Sequence, residues 1–261
     1  MVSSVGASGF TVHRLDETDS TNDWALAASR DGAPDRTVVI AGYQRRGRGR
    51  LDRRWEAPPG SALLCSVLLR AVLGVEDRHL CAVAVALAAA QGCDATSGLD
   101  VGLKWPNDLV VRDRKLGGVL AETDGRADDA GAVAVVVGLG VNLTWPGPPA
   151  ASGTSILEAT GTKVEPDALL GASLEALDAR DAQLRSAAGR GALVAAYRAR
   201  LVTLGRQVAV QLHDETFEGT AVDVTDHGHL VVATDEGARV IAAGDVVHLR
   251  PAAEGRAEAP E

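Results

Sequence analysis

Over the first 200 residues, apolar runs of strand length alternate with longer stretches whose apolar positions recur at helical spacing. Residues 10–15 and 37–43 read as strands. Between them, residues 20–30 begin polar and then place Trp24, Leu26 and Ala27 as a helix would. Residues 61–70 are apolar enough for a buried strand, and 76–91 predict a helix with Leu80, Val83 and Leu87 on one face. Residues 99–105, 108–112, 115–122 and 132–142 follow as strands. The turns at Pro106-Asn107 and Asp113-Arg114 are too short for the crossover that a parallel pair requires, so these strands are expected to pair antiparallel.

A loop crowded with proline and glycine over 144–155 precedes two expected helices, at 166–185 and 192–204. Near residue 204 the texture changes to short alternating runs at 208–212, 221–225, 230–233, 240–241 and 246–249. This spacing predicts a small β barrel. The class is therefore α+β with a mixed sheet, divided into a larger domain over 1–204 and a smaller one over 205–250. The polar tail 251–261 is expected to be disordered.

Composition narrows the function classes. The chain has 261 residues, 46% of them apolar but only 3% aromatic, so leucine and valine must fill the core. Lysine and arginine total 26 against 35 acids, a net charge of −9, which disfavours general binding to nucleic acid or anionic membranes. Cys65, Cys81 and Cys93 match no disulfide framework and no zinc spacing, and are expected to be reduced, buried thiols. No basic residue precedes the weakly apolar stretch 1–10, so a secretory signal is not expected, and the uncharged run 80–90 is too short to cross a bilayer. The expected compartment is the cytoplasm.

Against this acidic background, residues 44–55 hold six arginines, Arg45, Arg46, Arg48, Arg50, Arg53 and Arg54. Gly47 and Gly49 let the backbone turn its N–H groups inward, and guanidinium forks suit phosphate oxygens, so the loop can hold a polyanion with Trp55 as a stacking face. A solvated basic loop is the alternative of equal weight. Lys104-Trp105-Pro106-Asn107-Asp108 places two polar side chains at a proline turn beside a lysine, which an ordinary hairpin would also satisfy. Lys115-Leu116-Gly117-Gly118 brings a lysine to a strand whose glycines let a ligand lie against the backbone, or mark a bulge. Ser20-Thr21-Asn22 opens the first helix, where plain capping is expected. Gly138-Leu139-Gly140-Val141-Asn142 ends an apolar strand on an amide. His227-Gly228-His229 reads as a turn rather than a metal site.

In order and spacing these segments, with Tyr43-Gln44, resemble the biotin protein ligase family over about residues 12–250. The resemblance implies a catalytic domain related to class II aminoacyl-tRNA synthetases, followed by an SH3-like domain. It also implies two steps: biotin and ATP form biotinyl-5′-AMP with release of pyrophosphate, and biotin then passes to a lysine of a biotin carboxyl carrier domain. By resemblance, Ser20, Thr21, Asn22, Gln44, Gly47, Gly117 and Gly118 belong to the biotin site. Lys115 faces the biotin carboxylate and the phosphate, and Arg48 and Arg50 close over the adenylate. Trp55 and Asn142 meet adenine, and Lys104, Asn107 and Asp108 form the corner for ATP, Mg2+ and the acceptor lysine, with Asp108 orienting or deprotonating the amine. Metal ligands are not assigned.

Leu51-Asp52 stands where the family has a basic or small residue plus glycine, which implies a loop of different flexibility. The chain reads as starting at the catalytic domain, without the winged helix by which some members repress transcription. Lipoate or octanoate ligation is the nearest alternative activity; a nucleic-acid binder or a biotin-sensing regulator is a more distant one.

Overall fold

Side chains alternate across a strand, so the run 133–142 sends Val135, Val137, Leu139 and Val141 to one face and Val136, Gly138, Gly140 and Asn142 to the other. That division organises the molecule. The computed structural model describes residues 2–4, 9–51, 53–128, 131–148, 152–212, 214–242 and 244–248, so the tail expected to be disordered lies outside the described residues.

The element order is β1 (Val2–Ser4), β2 (Thr11–Leu15), α1 (Thr21–Arg30), β3 (Thr37–Ala41), β4 (Ala62–Ala71), α2 (Leu80–Ser97), β5 (Gly102–Lys104), β6 (Asp108–Val111), β7 (Arg114–Ala127), β8 (Val133–Asn142), α3 (Ile156–Thr160), α4 (Pro166–Arg185) and α5 (Ala187–Arg200). Then follow β9 (Gln207–Gln211), β10 (Thr216–Val224), β11 (Leu230–Thr234), β12 (Gly237–Ile241) and β13 (Asp245–His248). The first eight strands form one mixed sheet in the order β1-β2-β3-β4-β8-β7-β6-β5, in which only β2 and β3 are parallel. The last five form an antiparallel sheet, β12-β11-β10-β9-β13.

Helices α2, α4 and α5 cover the valine face of the large sheet, with Leu63, Leu69, Val137, Leu87, Leu170 and Leu193 in one continuous core. Helix α2 is buried nearly all round rather than on the single face its leucines suggest, because it lies between the sheet and α4. Gly92 permits this approach: a Cβ there would stand 2.4 Å from Ser173 Oγ on α4. The stretch from Val75 to Ser97 is long and apolar enough to pass for a membrane span, with mean hydropathy 1.4, yet it is mostly buried inside the protein.

Several elements depart from expectation: α2 runs later than 76–91, and β7, β10 and β12 are longer than their apolar runs suggest. Strand β1 adds an edge that its polar sequence does not announce. Helix α3, not expected, directly follows the proline-rich loop, because the Ser155 hydroxyl accepts the Glu158 N–H in an S-x-x-E cap. Helix α5 starts at 187 rather than 192, capped by Ser186.

Candidate active site

On the opposite face of the large sheet, Gly118 of β7 pairs with Gly140 of β8, and Leu120 pairs with Gly138. These three glycines, which contribute no side chains of their own, lie beneath a cleft of about 670 Å3. The indole of Trp55 lies on Gly140, where a Cβ would come within 2.6 Å of Trp55 Cε2. Gly138 performs the same service for Asn22, whose Oδ1 would be 2.4 Å from an added Cβ.

One wall is the start of α1. Ser20 is its N-cap but makes no side-chain cap, so the plain capping reading does not hold. Instead, Gln44 Oε1 accepts from the Thr21 N–H at 2.7 Å and from the Thr21 hydroxyl at 2.9 Å, tying the 42–48 segment to the helix terminus. Ser66 of β4, fully buried, places its hydroxyl 2.6 Å from Asn22 Oδ1 and 2.8 Å from Thr21 Oγ1. The Asn22 amide donates to the Leu120 carbonyl and to Glu122 Oε2, so Asn22 lines the cleft with its polar atoms committed to the protein.

The arginine-rich segment proves less cationic than its sequence. Arg45 bonds Asp19 and Glu17, and Arg46 bonds Asp19, whose carboxyl they hold below its ordinary range; neither arginine lines the cleft. Arg48 reaches Asp23 and Glu122 at 2.7 Å each. Arg48 bridges antiparallel to Arg54, with Gly49 N–H to Arg53 O at 2.7 Å, so the segments on either side of residue 52 pair as a small hairpin. Leu51 is exposed at the tip in a left-handed conformation (φ 53°), which is unfavourable for a branched side chain; Asp52 lies outside the described residues. Arg50 is the exception among the arginines. It is half buried, its Nη2 donates to the Gly244 carbonyl at 3.1 Å, and its Nη1 is buried without a partner among the described residues. Burial pushes its guanidinium below the ordinary range, against the pull of Asp245 and Asp108. A desolvated guanidinium with an unused donor is a socket for an anion.

Lys115 and Asp108 face each other at 2.5 Å across β7 and β6, and the Lys115 ammonium stands 5.8 Å from the Trp55 ring centroid. Lys104 and Asn107 line the same corner, with the Asn107 amide bonded to the Val119 carbonyl at 2.9 Å. Trp105 between them is buried, fixed by its indole N–H to the Gly228 carbonyl and by its backbone N–H to Thr203 Oγ1. The His227-Gly228-His229 turn therefore braces the site from the C-terminal sheet. Asn142 is buried at the end of β8, its amide donating to the Thr154 carbonyl at 3.0 Å. The loop of Pro146, Pro148 and Gly153 closes that side.

Most of the residues singled out in the sequence thus converge on one cleft. Gly47 and Gly117 do not line it. A Cβ on Gly47 would meet the Trp55 carbonyl at 2.4 Å and one on Gly117 the Gly140 carbonyl at 2.5 Å, so they serve the close backbone approach behind the site. Sequence reasoning missed Ser66, Glu122 and the C-terminal contributors Gln211 and Asp245. A lone serine in the apolar run of β4 was a usable signal for the first; nothing local marks the last two. Among the described residues no group of three or more His, Cys, Asp or Glu side chains is placed to hold a metal ion. The three cysteines are free and buried, and burial pushes each thiol up to about 12.

Residues 15–142 match the biotin/lipoate A/B protein ligase family, and residues 203–249 match the biotin protein ligase C terminal domain. The chain is 36% identical to the biotin–(acetyl-CoA-carboxylase) ligase of Mycobacterium tuberculosis, covering 90% of this chain and 87% of that one. It is 31% identical to the Paracoccus denitrificans ligase of the same name, covering 89% and 98%. Among solved structures it resembles the biotin protein ligase from Aquifex aeolicus in complex with biotin and ATP, with a TM-score of 0.78 at 23% identity over 92% of this chain and 99% of that one.

Proposed function

The chain belongs to the biotin protein ligases of the biotin/lipoate A/B protein ligase family, and from that premise we propose that its cleft joins biotin to ATP and then to a carrier protein. It activates biotin as biotinyl-5′-AMP, releasing pyrophosphate, and transfers the biotinyl group to a lysine of the biotin carboxyl carrier domain of an acetyl-CoA carboxylase. The larger sheet, over residues 1–204, is read as a class II aminoacyl-tRNA synthetase-like domain, and residues 205–250 as an SH3-like barrel. The enzyme works in the cytoplasm.

The observation that carries the assignment of roles is the meeting of three groups over the glycine floor: the Arg50 Nη1, without a partner among the described residues, the Lys115–Asp108 pair and the Trp55 indole. Two anions must be brought together in the first step, when a biotin carboxylate oxygen attacks the α-phosphorus and pyrophosphate leaves. Lys115 and Arg50 screen that repulsion from fixed positions, which avoids reorganisation during the reaction. Ser20, Thr21 and Gln44 present polar atoms at the end of the cleft that suits the ureido ring. Arg48, held between Asp23 and Glu122, borders the cleft at the hairpin base, and Gly118 lets the chain of the vitamin lie on the backbone. Trp55 stacks on adenine and Asn142 offers its amide edge. A Mg2+ ion carried by the nucleotide would neutralise phosphate charge, and Asp108 is among the carboxylates lining the cleft that would hold it, since this ion binds through one or two carboxylates and the phosphates.

In the second step the carrier amine attacks the acyl carbon and AMP leaves. The amine must be neutral to attack, and Asp108, paired with Lys115, is the group proposed to take its proton, with Lys104 and Asn107 bordering the approach. The deciding experiment is an ATP-dependent incorporation assay with a carrier domain as acceptor, comparing biotin, lipoate and no acid. Biotin alone should be incorporated; preference for lipoate would overturn the reading.

A further inference from the structure

Two contacts tie the arginine hairpin to a strand almost 200 residues away. Arg50 donates to the Gly244 carbonyl, and Arg53 forms an ion pair with Asp245 at the start of β13. The Asp245 side chain is only 15% exposed whereas that of Arg53 is 67% exposed, so the carboxylate is the fixed, desolvated half of the pair and the arginine is the half that is held. Asp245 is itself fixed by register, opposite Gln211 on β9, and both residues line the cleft. At its base the hairpin is pinned separately, through Arg48 to Asp23 and Glu122. Toward the tip Leu51 is exposed.

We propose that Asp245, with the neighbouring Gly244 carbonyl, is the positioning group that clamps the distal half of the 48–54 hairpin over the cleft, so that the C-terminal sheet governs retention of the activated acyl-adenylate. The inference rests on the ligase reading above. Asp245 acts through Arg53 and on the placement of Arg50. The clamp leaves the adenylation chemistry to Lys115 and Arg50, and its loss opens a route by which the mixed anhydride leaves the cleft and meets water.

The test uses the full chain carrying Asp245→Asn, Arg53→Gln or both, with Asp245→Glu as the conservative variant. Two rates are measured: tryptic cleavage after Arg50, Arg53 or Arg54 in the ligand-free protein, and AMP released from biotin and ATP in the absence of acceptor. In Asp245→Asn both should rise about five- to tenfold, the change expected from losing one charge-assisted hydrogen bond. The KM for biotin should stay within about twofold, because the α1 wall is untouched. Arg53→Gln should reproduce the leak, although its cleavage pattern loses one site. The double variant should leak no faster than the singles, since both remove one interaction, and Asp245→Glu should restore retention at least in part. Wild-type cleavage and leakage in Asp245→Asn, or faster cleavage without leakage, would overturn the clamp. A wild-type chain that makes no biotinyl-adenylate would overturn the ligase reading instead, while cleavage would still report on the clamp.

Discussion

Acidification from pH 7.5 to 5.0 should cost the fold about 2 kcal/mol through one imidazole, that of His79. This residue stands at the N-terminus of α2 at the seam with the C-terminal sheet, makes no side-chain cap, and has its Nε2 buried without a partner among the described residues. Its ring centroid is 5.0 Å from that of His229, which lies 6.0 Å from that of His227. His227 Nδ1 stands 2.8 Å from Asp77 Oδ1, and Arg190 Nε stands 3.1 Å from Asp77 Oδ2. Burial pushes His79 from 6.5 down to about 4, aided by the two neighbouring histidines and opposed by a hydrogen bond to the Glu76 backbone and by Asp77. His229 is shifted downward as well, chiefly by burial.

A depressed histidine makes the folded state the poorer proton binder. Stability is therefore intact above the unfolded value of about 6.5 and falls as pH drops toward 4. At pH 5.0 an unfolded imidazole is about 97% protonated and the folded one about 10%, which gives the stated loss. Urea unfolding at both pH values, for wild type and for His79→Gln, isolates the contribution. The variant cannot titrate there, so its loss between the two pH values should be smaller by about 2 kcal/mol. Equal losses in both proteins would refute the reasoning.

Four other outcomes follow from the geometry. Lys115→Ala should lower ATP–pyrophosphate exchange roughly a hundredfold or more, with the unfolding midpoint little changed, as expected when a preorganised charge is removed from a site. Arg50→Gly should release adenylate about tenfold faster without acceptor, measured as free AMP, and unchanged retention would count against its role. Gly140→Val should displace the Trp55 indole and raise the KM for ATP about tenfold, in line with loss of a stacking face, while the KM for biotin moves little. The three thiols should resist an aromatic disulfide reagent at pH 8 in the native protein and react once it is unfolded in urea, because burial holds them at about 12.

Elements with a clear period were readable before any coordinates, as were the antiparallel partners joined by short turns. Helix α2 was readable as a helix but not as an all-round buried one, since an alanine-rich sequence hides which faces are covered. The cleft was legible as a set of segments, because glycines, a proline turn and isolated lysines stand out from an apolar background. Its electrostatics were not. Which of six arginines keeps an open donor depends on Asp19, Glu17, Asp23, Glu122 and Asp245, partners brought in by tertiary folding from as far as 192 residues away. The first helix turn teaches the same lesson: Ser20 has a capping residue's identity, yet Gln44 takes the bond.

A surface of naked main chain under Gly118, Gly138 and Gly140 also constrains how this enzyme can diversify. Point changes there only subtract room, since every other residue is bulkier than the one present. A lineage, or an engineer, seeking to admit a different acid must therefore remodel the sides, at the Gln44 segment or the hairpin, and leave the bottom of the groove as it is.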